Sequence, residues 1–319
     1  MAKALTWKRD IGTPLPPLPS RVATVLKAGV APGSMSDPNW SALSDYTSIA
    51  SGFLESLRGT SVFDTLLSSG MRRVPLKSRT VIATVALTGA TPAELSVKPI
   101  SQMALDAENV APRKAVAVIA ATSEVFRLDQ SGGQLFASEL RNGVAVATDA
   151  QMLAALYDSV TPTASSGTTA DAVLVDMDAL LSALTLGASS RVFVIMSPAN
   201  AAALVTKTGT AGAAFPLLRL DGTGEILGGI RALVSDAVPS GAIIAIDATG
   251  IAGNSELPTL QTIGQGDIQL STTPDSPPSA ASLWRSLWQH NERAIVVERF
   301  FGFSKIRAGS VSAVSGASY

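Results

Sequence analysis

Apolar residues recur at three- and four-residue steps from Trp40 to Leu67, at Leu43, Tyr46, Ile49, Phe53 and Leu57. This spacing predicts a helix, interrupted near Gly59. Thr80–Leu87 (TVIATVAL) is short and rich in β-branched residues and predicts a strand, and Ala115–Ala120 (AVAVIA) predicts another. Between them Gly89, Pro92 and Pro99 punctuate a weakly patterned excursion of about 30 residues, long enough to have a task of its own. The longest periodic segment is Gln134–Tyr157, where Phe136, Leu140, Val144, Met152 and Leu156 fall on one stripe. Gly143 inside it costs about 1 kcal/mol relative to Ala, so close packing is expected there.

Thr161–Thr169 (TPTASSGTT) reads as a linker, Asp171–Leu184 as a helix and Val192–Met196 as a strand. Ser197 and Pro198 supply a cap and a first-turn proline for a helix over Ala199–Thr206. Ile230–Val234 and Ala242–Ile246 read as short strands around the turn Pro239-Ser240-Gly241. Asp275–Pro278 reads as a loop, and Ala294–Glu298 with Phe303–Ile306 as a final hairpin or paired strands. Helices and strands mixed without βαβ regularity predict an α+β fold. No internal repeat is visible. Residues 1–40 form a different segment: the PLPPLP run of Pro14–Pro19 favours an extended course, and five Lys/Arg against one acid in the first 36 residues make this arm basic.

Composition narrows the function classes. Of 319 residues, 46% are hydrophobic and only 15% charged, which excludes disorder over most of the length. No stretch approaches the roughly 20 consecutive apolar residues of a membrane span. There is no cysteine, which removes disulfides, thiolate metal sites and cysteine nucleophiles, and a single histidine, which removes multi-histidine metal sites. The N-terminal MAKALTWKRDIG has no apolar h-region, so a cytoplasmic setting is expected. The net charge of −1 is unevenly spread: +5 over residues 1–127, −9 over 128–283 and +3 over 284–319. No concentrated basic patch of the kind that reads DNA sequence is present.

Candidate chemistry is sparse. His290, in LWQHNER, is the sole imidazole, and no G-x-S-x-G elbow occurs, so a serine hydrolase has only this base to use. Its neighbours Trp288 and Asn291 suit a packing or interface position better. Gly222-Thr-Gly224-Glu-Ile-Leu-Gly228-Gly229 superficially resembles a phosphate loop but lacks the Lys-Ser/Thr of a Walker motif and reads as a turn. Asp171, Asp176 and Asp178 do not share one helix face and are expected to serve a helix start and its solvated face. Arg72, Arg73, Lys77 and Arg79 form a basic cluster suited to phosphate or carboxylate, or to a subunit rim. No active site, cofactor site or metal site emerges. That absence points to a structural or assembly role and to no enzyme.

Two blocks carry a resemblance. The first is APRKAVAVIAATSEVFRLD (Ala111–Asp129), followed by the long helix; the second runs from RVFVIMSPANAAAL (Arg191–Leu204) through GGIRALVSDAVPSG (Gly228–Gly241) to SLWQHNERAIVVERFFGFSKIRAGSV (Ser286–Val311). In order and spacing, over roughly residues 60–312, they resemble the major capsid proteins of tailed bacteriophages with the HK97-type fold. The resemblance implies an N-terminal arm and helix over 1–60, an E-loop over 74–112, and a discontinuous P-domain over 61–73, 113–164 and 288–319 with the long helix as its spine. It implies an A-domain over 165–287. The implied function is a shell subunit that self-assembles into pentamers and hexamers of an icosahedral head around double-stranded DNA, in the virion after assembly in the host cytoplasm. Implied partners are other copies of the chain, packaged DNA held non-specifically, and separate scaffolding, cement and portal proteins, with no membrane and no cofactor.

The short segment before the core implies that any scaffold is a separate protein. Some relatives weld subunits through a Lys–Asn isopeptide bond helped by a nearby acid. Lys77 or Lys98 would supply the lysine and Asn291 the acceptor, yet Val297, not an acid, precedes Glu298-Arg299, which argues against cross-linking. Arg72, Arg73, Lys77, Arg79, Lys98 and Asn291 remain the candidate inter-subunit contacts. An encapsulin-type nanocompartment shell shares the fold and is the alternative; its cargo-docking helix is at odds with the proline-rich arm. A hydrolase built on His290 is the alternative from another class.

Overall fold

The computed structural model of the protein describes residues 61–319, apart from 86–88, 92, 93, 95, 97, 99, 101–103, 128, 129, 210, 211, 220–223 and 281. The proline-rich arm and the helix predicted from Trp40 therefore lie outside the described residues, except for its last turns. In chain order the elements are α1 (Val62–Ser69), β1 (Arg72–Arg73), β2 (Arg79–Val85), β3 (Ala104–Asn109), β4 (Arg113–Thr122), α2 (Ser123–Arg127) and α3 (Gln130–Asp158). There follow β5 (Thr163–Ala164), α4 (Ala170–Ser182), β6 (Val192–Met196), α5 (Pro198–Thr206), β7 (Thr208–Gly209), β8 (Gly212–Ala213), β9 (Glu225–Ile226), β10 (Ile230–Val234) and β11 (Ile243–Asp247). The chain ends with β12 (Ile251–Ser255), β13 (Thr259–Ile263), β14 (Asp267–Gln269), β15 (Trp284–Ser286), β16 (Glu292–Lys305) and β17 (Val311–Ser315).

The chain divides into two compact units. Among the described residues the larger holds those of 61–119, 130–262 and Ile295–Tyr319, and the smaller those of 120–127 and Ile263–Ala294. In the larger unit a six-stranded sheet runs in the order β5-β17-β11-β6-β10-β9. β6 and β10 pair parallel, and β11 lies antiparallel to both β6 and β17. Every residue of β11 and four of the five in β6 are buried, as an unbroken apolar run requires when both faces of a strand are covered. On one face α4 presents Val173, Met177 and Leu180 at helical spacing, and α5 adds Ala201 and Leu204, against Val194, Met196, Ile243, Ala245 and Val314. Both helices start as their sequences predict. Thr169 caps α4 through Ala172 N–H, and Ser197 caps α5 through Asn200 N–H with Pro198 in the first turn.

The long helix α3 carries the expected stripe, with Phe136, Leu140, Val144, Met152 and Leu156 all buried. It spans 29 residues and begins four residues before the predicted start. α1 packs on it, and Phe63 of α1 meets Phe301 of β16 edge to face at 5.7 Å between ring centroids. A second sheet is ordered β1-β12-β16-β13, with β4 also paired to β16. Glu256 N–H donates to Phe300 O, which carries the chain along β16 from β12 towards β13.

Several expectations are corrected. β16 is one strand, not two, because Arg299–Gly302 holds no turn: Arg299, Phe301 and Gly302 are buried. A Cβ on Gly302 would come within 2.8 Å of Ala111 O, so this glycine marks a close approach of backbone and not a bend. The excursion after β2 contains β3, which pairs antiparallel with β2 from Arg79↔Asn109 to Ala83↔Leu105. Its sequence, ALDAEN, has no β-branched or aromatic residue, so only the partner strand marks it. The linker Thr161–Thr169 contains β5, added parallel to β17. Asp176 does not lie on a solvated face; it is 1% exposed.

In the smaller unit β14 and β15 form an antiparallel pair, Asp267↔Ser286 to Gln269↔Trp284. The loop between them is pinned by Gln269, whose amide accepts from Asp275 N–H at 2.7 Å and donates to Asp275 O at 3.1 Å. Arg285 holds the nearly fully buried Glu292 in a forked ion pair, with Nη2 2.6 Å from Oε1.

Candidate assembly surfaces

His290 is exposed, and its Nδ1 sits 2.9 Å from Ser286 O. Among the described residues no hydroxyl is hydrogen-bonded to the ring. Among those residues no cluster of three or more His, Asp or Glu is placed to hold a metal ion. No helix of the described residues is long and apolar enough to cross a membrane. The described part of the glycine-rich segment is β9 and a tight turn in which Leu227, Gly228 and Gly229 all have positive φ. That is a hairpin turn between β9 and β10, not a strand-to-helix phosphate loop.

Of the basic cluster, Arg72 and Arg73 make up β1, Lys77 stands in the following turn with φ of 63°, and Arg79 opens β2. All four are exposed, as is Lys98. No carboxylate among the described residues lies within ion-pair distance of any of the five. Asn291, in the smaller unit, donates from Nδ2 to Glu124 Oε1 at 2.8 Å, and its carbonyl accepts from Ser123 N–H at 2.8 Å. Glu124 was not among the residues singled out from the sequence. Glu298, the acid nearest the expected position, instead pairs with Lys114 at 2.6 Å.

Sequence reasoning singled out Asp176 but not its burial, and it missed Asp149 and Asp247, the other buried carboxylates that fix the frame around these surfaces. Asp149 of α3 accepts from Ser61 Oγ (2.8 Å), Val62 N–H (2.8 Å) and Phe63 N–H (2.9 Å), so it caps α1 from another helix. Burial pushes its carboxyl up, and these donors offset only part of that rise. Arg299 of β16 binds Asp64 of α1 with two guanidinium nitrogens and covers the Phe63 ring. Asp247 is fully buried and receives Arg191 N–H, Thr249 N–H and hydroxyl, and the Arg307 guanidinium. Burial raises its pKa, yet hydrogen bonds from Ser190, Arg191 and Thr249 outweigh burial and hold the carboxyl below its ordinary value. Asp176 behaves alike: bonds from Tyr319, Ser165 and Ser166 overcome the upward push of burial. A lone Asp inside an apolar helix stripe was the available signal for Asp149 and Asp176.

The surfaces themselves are of two kinds. The ribbon β2–β3 pairs with no other strand among the described residues, and a two-stranded ribbon is marginal on its own in water. Ile100, in the connection between its strands, is 99% exposed. The smaller unit exposes Leu283, Trp284 and Trp288, the last at 73%. Large apolar side chains exposed in groups mark contact with other macromolecules. Such exposed groups supply contact area.

Comparison with known proteins bears on this directly. No protein-family model matches the chain. Over 321 aligned residues it is 26% identical to the capsid polyprotein of Pseudomonas phage PAJU2, covering 92% of this chain and 48% of that protein. The chain thus spans about half the length of the curated relative it matches. In fold it is similar to a chain of the capsid of a native GTA particle (TM-score 0.57, 14% identity, 90% of this chain and 100% of that one). It is also similar to a chain of Gordonia phage Cozz (TM-score 0.56, 16% identity, 83% and 89%) and to one of Mycobacterium phage Ogopogo (TM-score 0.54, 16% identity, 83% and 94%). The fold is therefore shared with these solved chains, that of the GTA capsid among them. The resemblance to a phage major capsid protein, carried by the two sequence blocks, holds across the chain.

Proposed function

We propose that this protein is a major capsid protein whose activity is self-assembly: copies form pentamers and hexamers that close into an icosahedral shell around double-stranded DNA. The observation that carries this reading is the likeness to a phage capsid polyprotein over 92% of the chain, joined to the capsid fold. In this reading residues 74–112 are the E-loop, a ribbon that leaves its own subunit and is completed by a neighbour. Residues 61–73, 113–164 and 288–319 form the P-domain on the spine helix α3, residues 165–287 form the A-domain, and residues 1–60 form the arm. The charge-poor composition fits, since shell subunits bury much of their surface against several neighbours and unpaired charge is costly there. DNA on the inner face would be held through sequence-independent electrostatics. Scaffolding, cement and portal proteins would be separate partners, and the shell would be built in the host cytoplasm.

The test is negative-stain electron microscopy of the purified protein after size-exclusion chromatography. Closed polyhedral particles, or hexamer and pentamer rings, are expected. A compact monomer at high concentration, unchanged by a scaffold, overturns the reading. Particles filled with a protein cargo instead of nucleic acid would assign the same fold to a cellular compartment.

A further inference from the structure

The second sheet treats its edges unequally. β1 consists of two exposed arginines, Arg72 and Arg73, and β4, which pairs with β16 alone, opens with Arg113 and Lys114. Cations of this kind keep a foreign strand from adding to an open edge unless an acid stands opposite them. β13 has no such protection. Its five residues, Thr259-Leu260-Gln261-Thr262-Ile263, include no charge, proline or glycine, and all are exposed. β13 is hydrogen-bonded to β16, and no other described strand pairs with it. Each strand carries two rows of N–H and C=O groups, so one row of β13 is left without a strand. Just before it, Leu257 is 88% exposed. Glu256 is exposed as well and meets no cation among the described residues.

We propose that β13 is a strand-addition site for a second copy of this chain, with Arg72 and Arg73 of that copy lying against Glu256. The inference rests on the shell reading, which supplies copies at high local concentration. A strand is the occupant because only a strand satisfies a row of main-chain donors and acceptors. A copy of the same chain is the occupant because the charges are complementary: Glu256 lacks a cation and the β1 arginines lack an acid among the described residues of their own chain. Such a contact joins two different patches, and contacts of that type close into rings.

Hydrogen–deuterium exchange of the full chain, unassembled and in particles, reads the strand addition directly. Amides of 259–263 are expected to exchange at least about tenfold more slowly in particles, while those of β11 change little. Equal exchange in both forms, with closed particles visible in the microscope, overturns the proposal and leaves the shell reading intact. A protein that forms neither rings nor particles overturns both. Charge exchange reads the pairing: Glu256→Arg and Arg73→Glu should each give roughly tenfold fewer particles, and the two together should restore them. Circular dichroism confirms that each variant is folded. If the double variant stays as poor as the worse single one, the Glu256–arginine contact is overturned.

Discussion

Asp247 shows how one buried charge is made tolerable: no part of it is exposed, Oδ1 accepts from Arg191 N–H and from the N–H and hydroxyl of Thr249, and Oδ2 meets the Arg307 guanidinium. Removing one partner from such a pair leaves the other without compensation, so Asp247→Asn should lower stability by about 3 kcal/mol, read by urea unfolding at pH 7. The pH dependence follows from the direction of its shift. Its folded pKa lies below the unfolded value of about 3.9, so its contribution is complete above that pH and is lost as pH falls through the folded pKa. Asp176 adds to the same acid-side loss. Asp149, shifted upward, has the opposite sign: its contribution is present at low pH and declines as pH rises through its folded pKa. The wild-type unfolding free energy should therefore fall steeply below about pH 4, and that slope should be shallower in Asp247→Asn. An unchanged slope would show that Asp247 is not the group being titrated.

At the scale of elements, β16 organises the larger unit. Phe301 buries its ring against Phe63 of α1, Arg299 grips Asp64 of the same helix, and Gly302 lets Ala111 O pass close by. Gly253, one strand over, is equally confined: a Cβ there would sit 2.7 Å from Met71 Cε and 2.8 Å from Gly302 O. Gly302→Ala should therefore cost about 1–3 kcal/mol through overpacking, measured as a lower urea midpoint with an unchanged denaturant slope. No loss would mean that the neighbouring backbone can shift freely, against the packing described. The same glycine accounts for the missed continuity of β16. In a local reading Gly302 after two aromatic residues resembles a break, and only the strand beside it reveals close packing.

For the whole molecule, the shell reading assigns the large exposed apolar groups to association. Ile100 touches little within its own subunit, so Ile100→Asp should leave subunit stability within about 0.5 kcal/mol of wild type. In the shell reading it should sharply reduce particle yield, measured by sedimentation velocity. Wild-type yield from this variant would remove the E-loop contact from the assembly scheme without touching the fold.

What the sequence determined by itself was local. The stripe of α3, the run Val192–Met196, the Ser197–Pro198 start of α5 and the α+β mixture follow from periodicity and capping, which act over a few residues and need no partner. The order and spacing of two sequence blocks were enough for the capsid resemblance. Only the tertiary structure decided where Asp149, Asp176 and Asp247 lie, that β3 and β5 are strands, and that β16 is unbroken. These depend on donors and strands far away in the chain, such as Asp149 capping a helix that starts 87 residues before it. The free energy of a buried carboxylate or an added strand comes from that distant partner, so the residue's own neighbours in sequence can mark an Asp as buried but do not say what compensates it.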